Sequence, residues 1–176
     1  MRRIFSIFVL VFLLALGLFL AFAPAILDER ENIVVEHQPY VISPQAQELH
    51  SSLLIGDWHA DSLLWMRNLS EEYDYGHLDF PRMQRGNMGL QMFTTVTKSP
   101  SGQNYELNSS DASDNITLLV MAQRWPTVTW TSLTERALFQ ADKLHHLAAH
   151  DPDNLILVRS RIDLAEFLQR RQTNPT

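Results

Sequence analysis

Leu53-Leu-Ile-Gly-Asp-Trp-His-Ala-Asp-Ser-Leu-Leu64 is the stretch on which the reading of this chain turns. An apolar run, Leu53 to Ile55, leads into Asp57-x-His59-x-Asp61. Side chains alternate faces along a strand, so residues 57, 59 and 61 are expected on one side. An imidazole two positions before a carboxylate can then give one nitrogen and one oxygen to a single divalent cation. The apolar lead-in puts the motif at the C-terminal end of a buried strand, where parallel α/β folds build their active sites. A purely structural alternative competes with this: Asp61 would bind loop amides at a strand end, with His59 half exposed.

Composition narrows the chemistry. The 176 residues allow one domain of ordinary size. There is no cysteine, so any transition metal must be held by His, Asp or Glu. Of the 14 basic residues two are Arg2 and Arg3, so the rest of the chain sets 12 against 20 acidic ones. Such a surface has nothing with which to neutralise phosphates, which argues against nucleic acid as a partner.

Arg2 and Arg3 precede an apolar run from Ile4 to Ala23, interrupted only by Ser6 and Gly17. At about 1.5 Å per residue the run spans roughly 30 Å, the thickness of a bilayer core. It exceeds the length usual for the apolar core of a secretory signal. The two arginines should stay in the cytoplasm, which puts the remainder on the exported side, a bacterial periplasm or an extracellular face. Ala21-Phe22-Ala23 looks like a cleavage site, but Pro24 follows at once, and a retained anchor is favoured over a cleaved signal. Residues 1–25 are thus read as a transmembrane signal-anchor or signal peptide, 26–42 as a tether and 43–176 as the exported domain.

Within that domain Ser43-Pro44 should start a helix that ends near Ser51. Met88 to Val96 reads as a second strand, in which Gly89 points to a close approach. Ser110 or Ser113 should cap a helix that Pro126 ends. Ser132-x-x-Glu135 is a capping box, followed by a stripe of Leu133, Ala137, Ala141, Leu144 and Ala148 at the helical period. Leu155 to Val158 reads as a third strand, and Ser160 as the cap of a helix through about Arg171 with Leu164, Ala165 and Leu168 inward. The alternation predicts a parallel α/β sheet. Asp79 suits a helix N-terminus better than a metal site. His146 and His150 suit a helix C-terminus, where the dipole favours positive groups.

Asp57-Trp-His-Ala-Asp-Ser-Leu-Leu-Trp65, Gly76-His-Leu-Asp-Phe-Pro-Arg-Met-Gln-Arg-Gly-Asn-Met-Gly-Leu-Gln-Met-Phe93 and Val158-Arg-Ser-Arg-Ile-Asp-Leu164 together resemble the start of the membrane dipeptidase family (renal dipeptidase-like, peptidase family M19). The likeness runs from about Ser43 to Arg171. The family pattern has Gly and Asn where this chain has Trp58 and Ala60, neither of them a ligand position. The resemblance implies the N-terminal part of an amidohydrolase-type (β/α)8 TIM barrel. It also implies a two-zinc centre and hydrolysis of dipeptides to amino acids. Carried over by position, His59 and Asp61 would be zinc ligands; the family's bridging Glu, further His ligands and catalytic Asp have no match here. A whole barrel needs about 250 residues, so the chain is expected to be a truncated, inactive portion of such an enzyme. Two other classes stay open: another amidohydrolase-type metal hydrolase, and a non-catalytic membrane-anchored module.

Overall fold

A computed structural model describes residues 2–173. The chain is a mixed helix and sheet protein with one long apolar N-terminal helix and a two-stranded parallel sheet. Helix α1 covers Arg2–Glu31 and is long and apolar enough to cross a membrane or to act as a signal sequence. Every side chain from Ile4 to Phe22 is exposed, whereas Ala23, Pro24 and Asp28 are buried. The stretch expected as a tether therefore divides. Residues up to Glu31 continue the helix, and those from Ile33 to Ile42 are exposed and form neither helix nor strand.

The helix starts follow local hydrogen-bond chemistry. Ser43 caps α2 (Pro44–Ser52) by accepting from the Ala46 N–H at 3.2 Å. Asp79 caps α3 (Phe80–Arg85), accepting from the Arg82 N–H at 2.9 Å and the Arg82 Nε at 2.6 Å. The α3 exit uses Asn87, at φ 54°, as its left-handed residue, while Gly86 keeps φ −79°. Helix α4 (Asn115–Ala122) is capped by Asp114, through the Ile116 N–H at 3.0 Å, and not by the expected Ser110 or Ser113. Ser132 caps α5 (Leu133–His150) and Ser160 caps α6 (Arg161–Thr173).

Strands β1 (Ile55–Ala60) and β2 (Met88–Phe93) pair in parallel, with register shifts on both sides of the Gly56–Asp57 pairings. The close approach at Gly89 is made by side chains: a Cβ there would stand 2.7 Å from the Arg171 guanidinium and 2.8 Å from Leu54. A third strand does not form. Leu155 to Val158 forms neither helix nor strand and joins no ladder. A cavity of about 590 Å³, lined by Met88, Leu90, Leu155, Leu157, Leu164 and Phe167, lies between it and β2. The Leu155 N–H is used in the preceding turn, donating to the Asp151 carbonyl at 2.9 Å, and not in a ladder with β2. Among the described residues no barrel closes.

The core is organised by the 3-10 turn Ser62–Leu64 that follows β1. Its two leucines diverge into separate apolar clusters. Leu64 packs with Ile116, Val120 and Trp125, and Leu63 packs with Leu69 and Phe80. Helix α5 serves both clusters, through Phe139 on one side and Leu144 and Leu147 on the other. Of the expected stripe Ala137, Ala141, Leu144 and Ala148 are half-buried, but the fully buried positions are polar. Leu133 is 46% exposed, while Arg136 and Gln140 are buried at 1% and 0%. On α6 the half-buried apolar residues are Leu164 and Phe167, and Leu168 and Ala165 are exposed.

Candidate metal site

The site is built where β1 ends. After Asp57 the ladder slips by a residue relative to β2, which spoils strict alternation over 57, 59 and 61. Asp57 turns back on its own backbone, its Oδ1 accepting from the His59 N–H at 3.3 Å. His59 and Asp61 nevertheless meet, with Nε2 and Oδ2 3.3 Å apart and their side chains 70% and 48% exposed. Two donors about 2.1 Å from one ion at a tetrahedral angle stand roughly 3.4 Å apart, so this spacing suits ligands of a shared cation. As a bare exposed pair it would contribute at most about 1 kcal/mol.

Asp61 stands at the N-cap position of the Ser62–Leu64 turn, yet its side chain makes no capping bond. The carboxylate is held instead by Thr94, just past β2, whose Oγ1 donates to Asp61 Oδ1 at 2.5 Å. Thr94 is itself fixed by its N–H on the Ala60 carbonyl at 2.9 Å. One Asp61 oxygen is thus oriented by the neighbouring strand and the other faces His59. The structural alternative, Asp61 bound by loop amides, is not what the chain adopts.

A polar framework holds the two backbones that leave the strand ends. Gln140 donates to the Val96 carbonyl at 3.0 Å and accepts from the Val96 N–H at 3.1 Å. Gln123 grips 64 and 66 in the same way, by the Leu64 carbonyl at 3.0 Å and the Met66 N–H at 3.1 Å. Lys143 donates to the Leu63 carbonyl at 2.7 Å and to the Trp65 carbonyl. Desolvation brings its amine down to about 8. Arg136 donates to the Thr97, Thr129 and Trp130 carbonyls and pairs with Asp114 at 2.6 Å. Burial opposes the charge on Asp114, but bonds from Arg136, two backbone N–H groups and Thr117 outweigh it. They hold the carboxyl well below the usual carboxylate range.

Sequence reasoning missed Thr94, Gln123 and the Arg136, Gln140, Lys143 line. The last had a signal, since polar residues at positions i, i+4 and i+7 share a helical face. Gln91 was placed in β2 without a role. Its Nε2 reaches the Asp57 carbonyl at 3.4 Å, and its Oε1 is buried with no partner. Away from the site, His150 Nδ1 lies 2.7 Å from the His146 carbonyl, a local helix-end contact.

In chemistry and spacing His59 and Asp61 fit two donors of one zinc ion. They do not by themselves make a two-zinc centre, because no third His, Cys, Asp or Glu joins them among the described residues. No protein-family model, curated protein or solved structure matches the chain.

Proposed function

We propose that this chain carries the first part of a zinc-dependent, membrane-anchored dipeptidase of the amidohydrolase type, with α1 as the anchor and β1 and β2 as barrel strands. The observation that carries the reading is the His59–Asp61 pair, 3.3 Å apart at the C-terminal end of β1 and oriented by Thr94. His59 and Asp61 would hold one ion, which when bound supplies Lewis-acid polarisation and an activated water for peptide hydrolysis. Thr94 holds the Asp61 carboxylate in its binding orientation, and Gln123, Gln140 and Lys143 keep the loops beneath it from shifting. Two protein donors fall short of the three usual at a catalytic zinc. On this reading His59 and Asp61 are two donors of a centre whose other donors are not among the described residues.

Zinc binding and peptide hydrolysis test this separately. The intact chain should bind zinc through His59 and Asp61 without turning over a simple dipeptide such as Gly-Leu. Turnover that survives His59→Ala would overturn the site. Zinc uptake unaffected by that substitution would overturn the ligand assignment.

A further inference from the structure

We propose that the domain following α1 lies directly on the bilayer, through a sparsely charged face that α4 and the turn after it present beside the exit of α1. This rests on the reading of α1 as a retained membrane span. The partner is the headgroup and acyl boundary of the phospholipid membrane that α1 crosses.

The C-terminal end of α1 is held against the domain, although Ile33 to Ile42 beyond it is exposed. Unbroken exposure along α1 ends at Phe22: Ala23, Pro24 and Asp28 are buried, while Ala25 and Ile26 between them are exposed. Asp28 then pairs with Arg67 at 2.5 Å, both side chains almost sealed from solvent. The Gly76 N–H donates to the Asn32 carbonyl at 2.7 Å. Helix α4 packs against α1 as well. Residues 24–31 rise only about 12 Å along the helix, and a headgroup layer is roughly 5–8 Å thick. Groups that cover Ala23 and Pro24 therefore sit at headgroup level.

The chemistry of the adjoining surface points the same way. From Asn115 to Leu133 the only charged residue is Arg124, although 19% of the whole chain is charged. This stretch also exposes large apolar side chains: Leu118 is 74% exposed, Val128 57% and Leu133 46%. In water such groups forfeit the gain of burial, roughly 25 cal/mol per Å². At a bilayer boundary they recover it, and Arg124, also exposed, can reach lipid phosphates. A stretch that exposes apolar side chains, carries a single cation and packs beside α1 fits a lipid surface.

The chain has no cysteine, so single nitroxide labels can be placed without background. The intact chain in phosphatidylcholine/phosphatidylglycerol vesicles would carry Phe12→Cys, Leu118→Cys or Gln172→Cys. Gln172 lies at the far end of the sheet, beside Arg171, which reaches the Leu53 carbonyl. Collision with oxygen and with a water-soluble nickel chelate reports depth. The expected result is a Phe12 label deep in the bilayer, a Gln172 label open to nickel, and a Leu118 label with severalfold less nickel collision than Gln172 and high oxygen collision. A deep Phe12 label with Leu118 as open to nickel as Gln172 would overturn the docked face while leaving the span intact. A Leu118 label shielded from both reagents would also overturn it, since another protein surface would then cover the face. A Phe12 label open to nickel would overturn the span, and the docked face with it.

Discussion

His59 and Asp61 stand together because the chain past β1 turns at once, and because Thr94 takes one oxygen of Asp61. Losing that hydroxyl should cost more than a surface hydrogen bond usually does, since the partners of metal ligands set their orientation. We expect Thr94→Val to weaken zinc binding about 10-fold with little change in thermal stability, as read by calorimetric titration and a melting curve. Lys143 gives a pH prediction. Its amine falls to about 8 in the folded chain, from an ordinary 10.5. Between those values the unfolded chain binds more protons than the folded one, so this residue makes stability rise with pH across the window. Urea midpoints should climb from pH 8 to 9.5, and Lys143→Met should flatten the climb even though it lowers every midpoint. At this scale the ligand pair was legible, because it is adjacent in sequence. Thr94 was not, because its contact with Asp61 spans 33 residues.

Among the elements, caps were the easiest to read. Ser43, Asp79, Ser132 and Ser160 all act where the local pattern put them. Helix α5 was harder, because an apolar stripe and a polar stripe both fit its period. Packing half-buries the apolar stripe and buries the polar one most deeply, since the backbones of 62–67 and 94–98 lack ladder partners and need donors and acceptors from the core. Arg136 donates to the Thr97, Thr129 and Trp130 carbonyls and pairs with Asp114, so Arg136→Ala should destabilise the fold by about 3–5 kcal/mol, measured by urea unfolding. Its partner Asp114 has a depressed pKa. The stability it contributes is therefore complete above its ordinary 3.8 and declines as pH falls below that value. Asp114→Asn should remove this part of the acid-induced loss. The third strand failed for a related reason. Leu155 to Val158 has the composition of a buried strand, but composition does not report whether a neighbour's backbone lies within bonding distance.

For the whole molecule, the apolar N-terminal helix and the mixed α/β character could both be read from the sequence. The docking of α1 could not, because Asp28 and Arg67 look like ordinary surface charges until the fold buries them. Their pair uses one bond and leaves Asp28 Oδ2 and Arg67 Nε buried without partners. Removing one member would strand the other's charge. Asp28→Ala should therefore speed hydrogen exchange in the loop from Arg67 to Gly76 while β1 and β2 keep their protection. The cavity beside β2 belongs to this scale too, since it separates Leu155–Val158 from the strand they were expected to join. The central claim is that His59 and Asp61 share a cation, and a zinc titration followed through the histidine ring signals in the NMR spectrum tests it most directly. The account predicts that the His59 ring shifts first and saturably, and that Asp61→Asn abolishes the shift. Zinc moving His146 and His150 first, or leaving His59 unchanged until every histidine responds, would contradict it.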